Sequence, residues 1–415
     1  TELCRVSVAV SDGSKIWFSY TSGKIWRESG GTYTLMYTTS PAAGNAGCLG
    51  AYEYNAYIYW ATQSRLHRIA VADIGTANWT GAVPNWQTFS KTDSEFHPMV
   101  VQNAALFIAD GNLVSSVNSS ATFTASALDI LAPLRIKTME PYDIDLILGT
   151  IIHTSVNRCE VIRWDTVQTT WQYSRPVKEN GINAFIWFGD TLLAQCGTYG
   201  KFYWYDGLTL KPYKRLQGTW TPSKYGEVFP NAVGVLRGVP IFGFSNGAGN
   251  PCDNAIYSIG SYSEDYTKVI TEDYIISQDS VSSLSLGSII VDGQDLYVSW
   301  QDGSNYGVDK LDYTAKYASG YLETIRLTPD VENITTTAKF LANYQSLPAS
   351  TSLTFKYKKN NDASWTTLSI IDDTGLAQIY VEESIDGRAF QWRIEFTISS
   401  NNAPVIELLE ILFAN

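Results

Sequence analysis

Reactive side chains are scarce in this sequence of 415 residues, so the few that exist limit the chemistry it can perform. There are three histidines, His67, His97 and His153, and none has a second histidine or a cysteine at metal-ligand spacing. His67 lies inside an alternating strand pattern, His97 precedes Pro98 and His153 follows Ile151-Ile152, so each reads as a structural residue. The five cysteines, Cys4, Cys48, Cys159, Cys196 and Cys252, are far apart, odd in number and free of any Cys-x-x-Cys pair. They read as small buried apolar residues, against a disulfide framework or a zinc site. Neither a Gly-x-Ser-x-Gly elbow nor a phosphate-cradling glycine loop occurs.

Carboxylates are the chemistry that remains. Asp143 and Asp145 flank Ile144, which on a strand would aim both at one face, and Glu264-Asp265-Tyr266 returns as Glu272-Asp273-Tyr274. Glycosidic hydrolysis uses two carboxyl groups at a set separation. With 41 acidic residues, however, such pairs arise by chance, and many of these acids sit at Asp-Gly bends where they close turns. The expectation is no catalytic residue, no cofactor and no metal. A net charge of −12 leaves no basic surplus for phosphates, which excludes a nucleic-acid partner and an anionic membrane surface. No apolar run is long enough to span a bilayer, so membrane insertion is not expected.

The elements that would position these groups recur. A strand pair, apolar or aromatic on both arms and joined by a small polar turn, repeats through the first three quarters of the chain. Its central residues are Trp17, Tyr59, Phe107, Ile147, Leu193, Phe242 and Tyr297, with steps of 42, 48, 40, 46, 49 and 55 residues. That period, with few helix-forming runs and 13% aromatic residues, is the pattern of β-propeller blades. One such small sheet cannot bury both its faces alone, so the units must stack around a ring. The sequence therefore predicts an all-β fold, with a β-propeller of seven blades over residues 4–327. Loops at 40–47, 73–85 and 214–230 would stand on that ring. Trp79, Trp86 and Trp220, in or beside them, are candidate interaction residues.

Near residue 328 the strands lengthen and alternate cleanly, as in Thr351–Lys358 and Ala389–Phe396. Alternation of this kind buries one face and wets the other, predicting an antiparallel β-sandwich over 328–415. Its expected core is Leu353, Phe355, Trp392, Ile394 and Leu408. The strand-like stretch Tyr321–Leu327 either closes the last blade or opens the sandwich.

Two stretches of this module carry a resemblance. The run Leu353-Thr354-Phe355-Lys356-Tyr357-Lys358, followed by Ser364-Trp365-Thr366-Thr367-Leu368, is similar to a strand, turn and strand of tailed-bacteriophage virion proteins. Phe390-Gln391-Trp392-Arg393-Ile394-Glu395-Phe396, with Pro404–Ile411 after a short turn, resembles the closing strands of the terminal β-sandwich of phage tail and tail-associated proteins. The resemblance covers about 90 residues, and the region before them is similar to tail propellers only in architecture. It implies a virion location and a role as assembly scaffold of the tail with contact to the host. The implied partners are other tail proteins in an oligomeric particle and a host surface glycan. The alternative is a secreted carbohydrate-active propeller, glycosidase or lectin, with an accessory sandwich. Acids converging at the centre of the ring would separate the two.

Overall fold

The structure, a computed structural model, describes residues 2–414 apart from 40–46, 92–94, 153–155, 261–267, 277–283, 315, 317, 325, 329–335, 373–377 and 400. The chain divides into two units, Thr1–Leu311 and Asp312–Asn415. Among the described residues all regular structure is strand, apart from two short 3-10 turns at Val71–Asp73 and Ala77–Trp79.

The first unit is a succession of antiparallel sheets in chain order. The first sheet contains β1 (Val6–Ala9), β2 (Lys15–Phe18), β3 (Lys24–Ser29) and β4 (Thr32–Thr38), and the second β5 (Gly50–Tyr54), β6 (Tyr57–Ala61), β7 (Arg65–Ala70) and β8 (Val83–Thr88). The third has β9 (Met99–Gln102), β10 (Ala105–Asp110), β11 (Leu113–Asn118) and β12 (Phe123–Asp129), and the fourth β13 (Arg135–Tyr142), β14 (Asp145–Ile151), β15 (Cys159–Trp164) and β16 (Tyr173–Val177). The fifth has β17 (Ile182–Phe188), β18 (Thr191–Cys196), β19 (Lys201–Tyr205) and β20 (Leu210–Arg215), and the sixth β21 (Tyr225–Leu236), β22 (Val239–Ala248), β23 (Ile256–Gly260) and β24 (Val269–Tyr274). Three strands make the seventh: β25 (Leu284–Asp292), β26 (Asp295–Asp302) and β27 (Asn305–Lys310).

Each of the repeating central residues falls on the second strand of its sheet: Trp17 on β2, Tyr59 on β6, Phe107 on β10, Ile147 on β14, Leu193 on β18, Phe242 on β22 and Tyr297 on β26. These strands are buried along most of their length, and β2 and β14 throughout. Burial on both faces explains why they read as unbroken apolar runs with no alternation. Successive first strands touch, β1 to β5, β5 to β9 and onward to β25, and β25 touches β1. The unit is all-β and propeller-like.

Where the last sheet meets the first, no strand is shared among the described residues. The carbonyl of Cys4 accepts the Ser288 N–H at 3.0 Å and the Ser288 hydroxyl at 3.0 Å. Gly287 is required at this point, since a Cβ there would stand 2.1 Å from the same carbonyl oxygen. Lys15 adds an ion pair to Asp292 at 2.9 Å, and Trp17 packs with Ile290 and Tyr297.

The second unit holds β28 (Ser319–Glu323), β29 (Thr336–Tyr344), β30 (Ser352–Lys359), β31 (Thr366–Ile371), β32 (Gln378–Gly387), β33 (Phe390–Thr397) and β34 (Ile406–Ala414). They form two antiparallel sheets, in orders β28-β33-β30-β31 and β32-β29-β34. One apolar cluster joins them through Phe340, Leu353, Phe355, Phe390, Trp392 and Ile394. The boundary at 311/312 lies upstream of the expected 327/328 because β28 pairs with β33, Tyr321 opposite Glu395. Leu408 is a correction: it is 43% exposed. The register of β34 on β29 shifts between Asn343 and Tyr344, turning Ile406, Leu409 and Ile411 towards the core and Leu408 away.

Candidate functional site

The first strands of all seven sheets frame one cavity of about 760 Å³. Its lining mixes apolar residues, such as Met99, Met139 and Phe185, with polar ones, such as Ser7, Glu53 and Glu140.

Two carboxyl groups reach this cavity from different sheets. Glu53, near the end of β5, takes the Ser11 N–H on Oε2 at 2.7 Å and the Ser11 hydroxyl on Oε1. Glu140, on β13, accepts the indole N–H of Trp187 on Oε1 at 2.8 Å, and that indole stacks on Tyr142 with ring centroids 5.9 Å apart. The Glu140 side chain keeps partial access to the cavity, yet protein packs tightly around its carboxyl. Burial pushes its pKa up to about 7, against the lowering effect of the Trp187 hydrogen bond. The Tyr52 phenol is also raised, by burial first and then by Glu140 and Glu53, so these three groups feel one another. The Ser7 hydroxyl oxygen is buried and makes no hydrogen bond among the described residues.

A smaller cavity of about 40 Å³ lies near the beginnings of these strands, lined by Arg5, Tyr20, Lys137 and Phe229 among others. The Arg5 guanidinium sits between the Tyr20 and Phe229 rings, 4.0 and 4.1 Å from their centroids. Lys137 Nζ donates to Asn183 Oδ1 at 2.8 Å and to Glu227 Oε2 at 2.6 Å, while Asn183 Nδ2 donates to Gln195 Oε1 at 2.7 Å. Lys137, Asn183, Glu227 and Gln195 bond to one another, whereas Glu53 and Glu140 retain acceptor capacity towards the larger cavity.

The residues singled out from sequence lie elsewhere. Trp79 is corrected from an interaction candidate to a core residue. It is 1% exposed, its N–H donates to the Ile74 carbonyl at 3.0 Å, and it stacks on Tyr37. The 3-10 turn at its position folds the indole inward. Trp86 is half-buried on β8 against Tyr59, with the Arg68 guanidinium 4.3 Å from its ring centroid. Trp220 is also half-buried, donating to the Leu216 carbonyl at 3.0 Å and meeting Phe244 edge-on.

His67 and His97 are buried, the first stacked on Trp60 and the second on Phe89. His153, Glu264 and Asp265 lie outside the described residues. Asp143 is a turn residue with φ 56° and so does not share a strand face with Asp145, which is buried and paired with Arg163. Cys4, Cys48, Cys159 and Cys196 are buried and Cys252 half-buried; all are free thiols, raised by burial. Among the described residues no group of three or more His, Cys, Asp or Glu could hold a metal ion. Nor, among the described residues, is any helix long and apolar enough to cross a membrane.

Sequence reasoning missed Glu53 and Glu140. Their signal was an acid near the end of a first strand, just ahead of the turns at Asn55-Ala56 and Asp143-Ile144. It showed only once the second strands had fixed the sheet order.

No family model and no curated protein matches the chain. Among solved structures, two of the extracellular domain of BT4673 from B. thetaiotaomicron, called a hybrid two-component system in one and a one-component system in the other, superpose with TM-scores of 0.52 and 0.50, at 13% and 12% identity. Each covers 84% of this chain, which spans 41% and 42% of their length. Virginiamycin B lyase from Staphylococcus aureus gives a TM-score of 0.47 at 10% identity, over 71% of this chain and 91% of its own. At these identities the likeness is one of fold.

Proposed function

We propose that the chain is a structural component of a tailed-phage tail, an assembly scaffold that also contacts the host surface. It is read here as a seven-bladed propeller followed by a C-terminal β-sandwich. The observation that carries the assembly role is in the second unit. β34 is the outermost strand of its sheet, and among the described residues no strand pairs with its free edge. It nevertheless exposes Leu408 and Leu412, and the edge strand β28 exposes Tyr321 and Leu322. Monomeric proteins blunt their sheet edges with charge, proline or a covering element, because an apolar edge templates pairing with another chain. Two such edges in one module favour a protein whose surface is completed by neighbours. For the host contact, the succession of sheets in the first unit supplies a stiff body on which loops can face outward.

The test is composition. Particles purified from the source culture should contain this chain at a fixed ratio to other tail proteins. Leu408→Lys with Leu412→Lys should cut incorporation at least tenfold while leaving the melting curve of the purified chain intact. A chain abundant in the culture fluid and absent from particles overturns the reading.

A further inference from the structure

We propose that the 760 Å³ cavity framed by the seven first strands is a binding site for an uncharged oligosaccharide, anchored by Glu53 and Glu140. The inference deepens the host-contact part of the proposed function. It concerns a surface remote in sequence from β34, so the two can fail separately.

Size comes first: the cavity falls in the range of ligand sites, about 300–1,000 Å³. Its chemistry then narrows the occupant. Two carboxyl groups in one enclosure disfavour an anion. A metal ion would need more ligands and charge than are present, since no group of three metal-ligating residues occurs among the described residues. Burial also holds Glu140 towards its neutral form, which suits a metal poorly. The lining is too polar for a lipid or an aromatic ligand alone.

Sugar hydroxyls fit what remains, because each both donates and accepts. Glu53 is oriented by the Ser11 amide and hydroxyl and keeps free lone pairs. Glu140 is fixed by Trp187 through one oxygen, leaving the other to donate when protonated and to accept when not. Between these groups, Tyr52, Met139 and Phe185 supply apolar wall for the C–H faces of a sugar ring.

The full chain is screened on an array of bacterial surface oligosaccharides with uncharged, acidic and amino-sugar members. The tightest uncharged binder is then titrated by calorimetry. Binding of uncharged oligosaccharides is expected, with Glu53→Ala and Glu140→Ala each weakening it at least tenfold. Glu140→Gln should retain it, since an amide also donates and accepts. Glu407→Gln, in the second unit, should leave it unchanged. Melting curves confirm that each variant is folded, and Ser11→Ala, which removes the hydroxyl that holds Glu53 Oε1 at the cavity wall, serves if Glu53→Ala is not. Incorporation of Glu53→Ala into particles should be normal. The proposal is overturned if no uncharged oligosaccharide binds, if only acidic or amino sugars bind, or if folded Glu53→Ala and Glu140→Ala (or folded Ser11→Ala in place of an unfolded Glu53→Ala) bind as the parent does.

Discussion

A carboxyl group with its pKa pushed up to about 7 works against the fold whenever it ionises. In the unfolded chain Glu140 loses its proton near its ordinary value of about 4.3, whereas in the folded state it holds the proton to about 7. Between those values the folded state binds more protons, so stability falls as pH rises through that window and then levels off. Glu140→Gln should therefore melt at the same temperature as the parent near pH 4 and higher than the parent above pH 7. Calorimetric scans at the two pH values check this, and an equal shift at both would exclude Glu140 as the cause.

His67 gives the opposite slope. Burial, with a smaller contribution from Arg65, pushes it down to about 4, and its Nδ1 accepts the Asn85 N–H at 3.1 Å, which requires the neutral ring. The unfolded chain takes up the proton first, near pH 6.5, so stability drops as pH falls from there towards 4. His67→Leu should remove this acid sensitivity. It should also cost roughly 1–3 kcal/mol at pH 7, because the Asn85 amide loses its acceptor. Denaturant titrations at pH 5 and 7 measure both effects.

Elements were legible in proportion to how many faces they bury. The second strands, buried on both sides, appear in the sequence as apolar runs, and all seven were located from their centres. The outer strands β4, β8 and β20 are largely exposed and left weak patterns. Leu408 was misplaced because a one-residue bulge against β29 inverts alternation, and alternation carries no mark of a bulge. The cavity carboxylates were illegible for a different reason. Glu53 and Glu140 are 87 positions apart, and only the stacking of sheets brings them to one space.

The meeting of first and seventh sheets can be tested at this scale as well. Lys15 is buried with Glu28 at 3.6 Å and Asp292 at 2.9 Å. Lys15→Met leaves both acids without their cation. Breaking a fully buried pair costs about 3–5 kcal/mol, and the half-exposed Asp292 lowers the expectation to roughly 1–3 kcal/mol. Urea denaturation of the full chain reads it. A loss below a few tenths would mean that the Cys4 carbonyl bonds and the Trp17 contacts carry the seam alone.

At the scale of the whole molecule, two units predict two foldable pieces. A fragment of residues 312–415 should melt cooperatively on its own. One starting at 328 lacks β28, which covers the edge of β33 next to Trp392, and should melt lower or not fold. Equal melting of the two fragments would show that β28 belongs functionally to the first unit. Such a result would restore the boundary read from sequence.

The strandless seam also sets a timetable. Because Cys4 and Lys15 find partners across the seam in Ser288 and Asp292, the first sheet leaves the ribosome long before the seventh can cover its outer flank. At ordinary elongation rates the delay is roughly 15–60 s. During that interval the nascent chain is an open arc with Trp17 uncovered on one side, an invitation to chaperones or to another arc of the same kind. Sheets two to six can stack by local contacts as they emerge, but the last contact spans nearly the whole unit and must come late. A stop shortly before residue 284 should therefore yield a sticky, incomplete arc, and a slow codon there should matter more than one anywhere earlier.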